Sequence, residues 1–118
     1  MIKILLAEDD DSLRGFLSRA LERAGYEVVS CADGEEALAH LDDHRWDLLL
    51  TDIVMPGVDG IEVARQAAAR QPGMRIMFIT GFAAVALSAA QSAPQAKVLS
   101  KPVHLRDLVA EVERMIAA

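Results

Sequence analysis

Short apolar runs alternate with amphipathic stretches along the whole sequence, and this alternation restricts the possible folds more than any other feature. The runs are nearly continuous, which is typical of parallel strands covered on both faces. They lie at residues 2–7, 27–31, 47–51, 75–80 and 97–100. Between them, apolar residues recur with the spacing of one helical face. In the first two helical stretches the apolar positions fall within residues 13–24 and 37–41. The other three helical stretches cover about residues 61–70, 82–92 and 105–116.

Five predicted strands that alternate with five predicted helices favour one architecture. Short links between them imply right-handed crossovers, which produce a parallel sheet with helices on both faces. We therefore predict a doubly wound α/β fold. A chain of 118 residues, of which 53% are hydrophobic, has enough apolar material for one core, so we expect a single domain over residues 1–118.

The charge balance argues against several classes of function. The net charge is −6 at pH 7 and the pI is about 4.9, whereas binding to nucleic acid or to an anionic membrane favours positive charge. The sequence has no leader of the signal-peptide type and no uncharged apolar stretch of the about 20 residues that span a bilayer. Cys31 is the single cysteine, and we interpret it as strand packing in a reducing compartment. We expect a cytoplasmic protein without nucleic-acid binding or membrane insertion.

Acidic residues follow two of the predicted strands. Glu8 and Asp9 come directly after the first strand, and Asp52 comes directly after the third. The functional crevice of an open parallel sheet lies at the carboxyl ends of its strands, so these carboxylates converge there if the first and third strands are neighbours in the sheet. Converging carboxylates cannot all stay ionised without a cation, and Mg²⁺ prefers such oxygen ligands. We interpret Asp10 and Asp11 differently, as residues of a helix N-terminus.

Two further polar side chains are predicted at the same edge. Thr80 ends the fourth strand, and Lys101 follows the fifth, directly before Pro102. A carboxylate nucleophile, a divalent cation, a lysine and a hydroxyl together match the needs of phosphoryl transfer, which depends mainly on positioning and on neutralising oxygen charge. The sequence thus predicts a phosphoryl site.

The motifs LLAEDD, LLTDIVMPGVDG, FITG and LSKP occur in this order. Together they resemble the receiver domain of two-component response regulators, and the resemblance covers the whole chain. It implies a flavodoxin-like sheet with strand order 2-1-3-4-5. It also implies a phosphoprotein that catalyses only its own phosphorylation and dephosphorylation, so we do not expect an enzyme that acts on other substrates.

The same resemblance assigns roles to single residues. Asp52 matches the acceptor of a phosphoryl group from a histidine kinase or a histidine phosphotransfer protein. The Mg²⁺ ligands would be Asp9, Asp52 and the backbone carbonyl of Val54, with Glu8 bound through water. Thr80 and Lys101 match the groups that hold the phosphoryl oxygens. The resemblance further implies that Pro56 and Gly60 shape the loop beside the site, and that the Lys101-Pro102 bond is cis.

Two positions depart from the usual receiver pattern. Val98 stands where receivers often have an aromatic switch residue, which puts that form of switching in doubt. Gly81 replaces the common alanine after the threonine. Phe82 follows it and is a candidate mobile aromatic, although we favour core packing for its side chain.

The fourth predicted helix has no charged residue from Phe82 to Ala96. This pattern fits either a buried or sparsely polar helix, or a face that binds a partner under control of Asp52. No output domain is expected after Ala118, so the protein would act by binding. The resemblance is closer to the single-domain cell-cycle regulators of the family. Three stretches carry it: LLTDIVMPGVDGIE, RIMFITGFAAVAL and AKVLSKPVHL.

That narrower resemblance implies a monomeric adaptor. In its unphosphorylated form it would engage a Clp-type AAA+ protease or its substrates. The terminal pair Ala117-Ala118 fits a degradation signal and a frayed helix end equally well.

Two other functions stay open. One is a phosphotransfer intermediate that passes its phosphoryl group to the histidine of another protein. The other is a nucleotide-binding or metal-phosphatase module, which is disfavoured because acids stand where a glycine-rich phosphate loop would follow the first strand. His40, His44, His104 and Trp46 are interpreted as structural or surface residues.

Overall fold

The computed structural model describes residues 1–93 and 95–118, and their chain alternates strictly between strands and helices. The strands are β1 (Lys3–Ala7), β2 (Glu27–Cys31), β3 (Leu48–Asp52), β4 (Arg75–Thr80) and β5 (Lys97–Ser100). The helices are α1 (Asp11–Arg23), α2 (Gly34–His40), α3 (Gly60–Arg70), α4 (Ala83–Ser92) and α5 (Leu105–Ala117). All strand pairs are parallel and their order is β2-β1-β3-β4-β5, which confirms the predicted fold class and strand order.

The strand order reverses direction between β1 and β3, which are neighbours in the sheet. Ala7 of β1 lies opposite Thr51 of β3, and Thr80 of β4 lies opposite Ser100 of β5. The ends of β1, β3, β4 and β5 therefore lie at one edge, and the residues that follow them face a common crevice.

Two apolar cores cover the sheet, one on each face. Alternate residues of the central strands contribute to opposite cores: Leu5 and Leu49 pack on one face, and Ile4 and Leu48 pack on the other. The first core includes buried residues of α2, α3 and α4, and the second includes buried residues of α1 and α5. Because both faces are covered, the strands are continuously apolar, which is the pattern that the sequence shows.

Aspartate side chains define the beginnings of the first three helices. Asp10, Asp33 and Asp59 each accept a hydrogen bond from a backbone N–H in the first turn, at 2.8–2.9 Å. This confirms the interpretation of Asp10 as an N-cap. The third helix begins one residue earlier than predicted, at Gly60, and the fourth begins one residue later, at Ala83.

The fourth helix is mostly exposed. Ala89 is the only buried residue among the side chains of α4 that the structure describes. Leu87 is 63% exposed, and Phe82, the extended residue before the helix, is 59% exposed. The expectation of core packing for Phe82 is therefore wrong, and of the alternatives left open for α4 the structure excludes a buried helix. The sequence of α4 is rich in alanine, so this helix has no broad stripe of large apolar side chains to bury against the sheet.

Two predicted apolar positions on other helices also lie outside the cores. Phe16 of α1 is 53% exposed, and the guanidinium of Arg19 lies 5.3 Å from its ring centroid. Leu105, the first residue of α5, is exposed, while Leu108 and Val112 of the same helix are buried. Across the described residues, the helices are too short or too polar to cross a membrane.

Candidate functional site

The last residue of β3, Asp52, and the loops after β1 and β5 bring charged side chains into one pocket. The ammonium Nζ of Lys101 donates a hydrogen bond to Oδ2 of Asp52 at 2.9 Å and lies 3.2 Å from Oε1 of Glu8. Carboxylate oxygens of Glu8, Asp9 and Asp52 all lie within 4.8 Å of one another. The structure thus brings together the three acids and the lysine that the sequence predicted for one site.

Glu8 is the most unusual member of this cluster because its carboxylate is buried. The residue is only 1% exposed, and Oε2 accepts a hydrogen bond from the N–H of Asp10 at 3.0 Å. Among the described residues, no donor makes a hydrogen bond to Oε1, since the approach of Lys101 is an ionic contact without hydrogen-bond geometry. Buried polar atoms are normally paired, so this oxygen is available for a further ligand.

The surroundings of Glu8 favour its protonated form. Burial raises the pKa of Glu8 to about 7, and the negative charge of Asp52 adds to this effect. The hydrogen bond from Asp10 and the charge of Lys101 lower the pKa, but they do not compensate fully. Burial would also lower the pKa of Lys101, but the hydrogen bond and charge of Asp52, together with Glu8, raise it overall. Lys101 therefore remains a cation in this pocket.

The donor set of the pocket fits a hard divalent cation. Three carboxylates face one ammonium, so negative charge is in excess, and one buried carboxylate oxygen has no hydrogen-bond donor among the described residues. Oxygen ligands of this kind are those that Mg²⁺ prefers. Val54 is exposed in the loop two residues after Asp52, and coordination by its carbonyl stays a prediction.

Thr80 lies at the end of β4, beside the strand end that carries Lys101. Thr80 is buried, and its side-chain oxygen accepts a hydrogen bond from the N–H of Phe82 at 3.2 Å. Its carbonyl accepts a hydrogen bond from the N–H of Lys101 at 2.8 Å, so the two predicted residues are held together by the backbone. The Lys101-Pro102 peptide bond is cis, as the resemblance implied.

The loop between β3 and α3 is packed tightly against the backbone of Asp52. A Cβ atom added to Gly60 would lie 2.1 Å from the carbonyl oxygen of Asp52. The N–H of Gly60 donates to the carbonyl of Ile53 at 2.8 Å, and the N–H of Val58 donates to Glu35 at 3.0 Å. The absence of a side chain at Gly60 is therefore required for the position of Asp52. Pro56 in the same loop is exposed.

The contacts of Arg14 beside the pocket were missed by sequence reasoning. Arg14 of α1 donates to the carbonyl of Glu8 at 2.9 Å and pairs with Asp11 at 2.7 Å. The spacing of Asp11 and Arg14 on one helix is a weak signal for the pair, but the contact with Glu8 depends on the fold. Cys31, as predicted, is buried strand packing, and burial with the charges of Glu36 and Asp33 raises the pKa of its thiol to about 12.

A doubly wound sheet with an acidic pocket and a lysine at its carboxyl edge is the arrangement of a receiver domain, and comparison with known families agrees. Residues 4–113 match the family described as the response regulator receiver domain. The chain belongs to this family.

Individual proteins show the same relationship. The chain is 58% identical to the response regulator receiver protein CpdR of Brucella abortus (strain 2308), over 100% of this chain and 99% of that protein. It is 38% identical to the DNA-binding transcriptional regulator NtrC of Salmonella typhimurium, but over 97% of this chain and only 24% of that protein.

Solved structures also include close neighbours. A CheY-like receiver domain protein from Methanospirillum hungatei JF-1 superposes with a TM-score of 0.91 at 30% identity, covering 99% of this chain and 94% of that one. The receiver domain of the hybrid histidine kinase CckA superposes with a TM-score of 0.83 at 33% identity, covering 97% and 98%.

Proposed function

We propose that this chain is a response regulator that is phosphorylated on Asp52 in a Mg²⁺-dependent phosphorelay. The observation that carries the proposal is the contact of Lys101 with Asp52, at 2.9 Å, inside a pocket of three carboxylates. A histidine kinase or a histidine phosphotransfer protein would supply the phosphoryl group. Family membership supports this choice of donor.

In the proposed reaction, a carboxylate oxygen of Asp52 attacks the phosphorus of a phosphohistidine. The new O–P bond forms as the P–N bond breaks, and the imidazole leaves with the proton that it needs from solvent. Hydrolysis by water later returns the carboxylate and inorganic phosphate. Mg²⁺ would neutralise the charge of the phosphoryl oxygens. The groups that would hold it are Asp9, Asp52 and the Val54 carbonyl, with Glu8 nearby. The protein performs this chemistry on itself and is not proposed to turn over another substrate.

Lys101 and Thr80 would hold the product. The ammonium of Lys101 already lies at Asp52, so it is placed to pair with a phosphoryl oxygen bonded to that carboxylate. The hydroxyl of Thr80 would donate to another phosphoryl oxygen. If the side chain moves to do so, its hydrogen bond from the N–H of Phe82 is released, and Phe82 directly precedes α4.

This link supports α4 as the output surface. Phe82 and Leu87 are exposed, and no charged residue occurs from Phe82 to Ala96. We propose that the unphosphorylated face acts as an adaptor for a Clp-type AAA+ protease in cell-cycle proteolysis, and that phosphorylation stops this. The likeness of the motifs to single-domain cell-cycle regulators supports this finer assignment, with the protein acting as a cytoplasmic monomer.

The phosphorylation step is tested by intact-protein mass after incubation with a small phosphodonor and Mg²⁺. One phosphoryl adduct is expected on the wild type and none on Asp52→Ala or in EDTA. Absence of an adduct under every condition would overturn Asp52 phosphorylation.

The adaptor step needs a separate assay, in which a purified Clp-type protease degrades a candidate substrate with this protein present. Stimulation by the unphosphorylated form, lost on phosphorylation, would support the adaptor. Transfer of the phosphoryl group to a purified phosphotransfer protein, without any effect on proteolysis, would instead support the phosphotransfer intermediate. The resemblance to the CckA receiver is the observation that favours this second function.

A further inference from the structure

A second group of metal-ligating side chains lies outside the acidic pocket. Cys31 ends β2, while Glu36 and His40 belong to α2. One donor atom from each, the thiol sulfur, a carboxylate oxygen and a ring nitrogen, all lie within 4.8 Å of one another. Glu36 and His40 are four residues apart, so they lie on the same face of the helix, one turn apart.

Neighbouring groups already orient two of these ligands. Nδ1 of His40 lies 2.8 Å from Oδ2 of Asp43, which favours the tautomer with the proton on Nδ1 and a lone pair on Nε2. Oε2 of Glu36 accepts from the N–H of Ala32 at 3.0 Å, which leaves Oε1 for another partner. A carboxylate behind a histidine is the usual outer support of a metal-binding imidazole.

Burial differs among the three ligands in a useful way. Cys31 is fully buried, His40 is half-buried, and Glu36 is exposed. The sulfur thus forms the closed inner end of the cluster, and the carboxylate and imidazole form its outer end. The outer end, formed by residues of α2, is the end that contacts solvent.

We propose that Cys31, Glu36 and His40 bind one thiophilic divalent cation, and that this cation is Zn²⁺. Sulfur, imidazole nitrogen and carboxylate oxygen are the three ligand types of Zn²⁺ in proteins, and water would occupy the fourth position. Mg²⁺ does not favour thiolate or imidazole, so this site and the acidic pocket select different ions. The proposal concerns binding and does not depend on the function proposed above.

Binding involves one proton transfer. Without a metal the Cys31 thiol is protonated, and on binding its S–H bond breaks, the sulfur electron pair forms the bond to the cation, and the proton passes to water. The backbone connects the site with the acidic pocket, because the N–H of Glu8 donates to the carbonyl of Cys31 at 3.1 Å. Because the two sites are neighbours in one fold, metal binding is tested in the full chain.

The experiment is a titration of the full chain with Co²⁺, which replaces Zn²⁺ and gives a thiolate-to-metal absorption band. It is performed with Mg²⁺ in excess, so that the acidic pocket does not compete. We expect the band to saturate at one equivalent, to disappear when Zn²⁺ is added, and to be absent in Cys31→Ser. In His40→Gln the affinity should fall at least about tenfold. His104→Gln is the matched control, since His104 is an exposed residue directly before α5 and outside the cluster, and the Co²⁺ titration of this variant should equal that of the wild type.

Two outcomes would overturn the proposal. The first is the absence of the band in the folded wild type. The second is an equal affinity in His40→Gln and wild type, which would mean that Cys31 binds the ion without the cluster. Because Cys31→Ser changes a core residue, circular dichroism must show that it is folded. His40→Gln changes a half-buried position and keeps the test valid if the cysteine variant does not fold.

Discussion

Lys101 and Asp52 form an ion pair between two strand ends that are 49 residues apart in the chain. The same ammonium also contacts Glu8, so one lysine compensates two buried carboxylates. This arrangement makes the pocket depend on Lys101 when no metal is bound, and it connects the stability of the fold with the proposed chemistry.

We expect Lys101→Ala to fold but to lose the response to phosphorylation. Without Mg²⁺, the free energy of unfolding should fall by about 1–3 kcal/mol, because the partner carboxylates of Lys101 are left uncompensated. Urea unfolding with and without Mg²⁺ measures this, and Mg²⁺ should restore part of the loss. Lys97→Ala is the control, since Lys97 is exposed and its pair with the half-buried Glu111 is long, at 3.7 Å. A variant without a cooperative unfolding transition would contradict the prediction.

Asp52→Ala is expected to stabilise the metal-free protein. It removes a charge that repels Glu8, while Lys101 keeps Glu8 as a partner. We expect a gain of about 1 kcal/mol, which corresponds to a rise of about 4 °C in the melting temperature of a domain of this size. Melting curves in EDTA test this, and addition of Mg²⁺ should stabilise the variant less than the wild type. A lower melting temperature in EDTA would show that the pair with Lys101 outweighs the repulsion.

The metal-free protein should lose stability as the pH rises from about 4.5 to about 7. In this range the folded chain keeps Glu8 protonated, whereas the unfolded chain releases the proton, so the folded state binds more protons. The contribution of protonated Glu8 to the free energy of unfolding is complete below about pH 4.5 and is lost as the pH rises through about 7. Its total is up to about 3 kcal/mol.

Glu8→Gln isolates this effect because an amide does not ionise. The difference in unfolding free energy between wild type and variant, measured in EDTA at several pH values, should change across this range. Glu22→Gln, at an exposed position of α1, should follow the wild type. Parallel pH profiles of wild type and Glu8→Gln would exclude Glu8 as the titrating group.

Gly60→Ala should destabilise the protein and displace Asp52. The new methyl group would lie 2.1 Å from the carbonyl oxygen of Asp52, and backbone cannot move aside as a flexible side chain does. We expect a loss of about 2–4 kcal/mol and slower phosphorylation by a small phosphodonor. Gly73→Ala is the matched control, because no atom lies within 4 Å of its added Cβ. Equal stability of the two variants would mean that the loop adapts.

Local sequence patterns predicted the fold class and the acids at the strand ends, whereas the strand order was implied by the resemblance to receiver domains. Strands such as β3 are apolar on both faces, and the acids stand at their carboxyl ends: Glu8 directly follows β1, and Asp52 is the last residue of β3. Parallel strands place these ends at one edge, so their proximity follows from topology alone.

Features that depend on how helices settle on the sheet were not predictable in this way. The exposure of Phe82 was misjudged because an aromatic residue next to a strand usually enters the core. The proximity of Cys31 to His40 was missed because the eight residues between them do not match a familiar metal-binding spacing, and only the fold turns α2 back over β2.

The proposed adaptor surface leads to the last prediction. Leu87→Ser should leave the stability within about 0.5 kcal/mol of the wild type, because the side chain is 63% exposed and little apolar area is lost. It should nevertheless weaken binding of the partner and reduce stimulated proteolysis several-fold, since exposed apolar side chains contribute directly to an interface. Phe16→Ser provides the matched control, because Phe16 is similarly exposed, at 53%, but lies on α1. If both variants reduced proteolysis equally, the effect would not be specific to the α4 face, and if neither did, the partner would bind elsewhere.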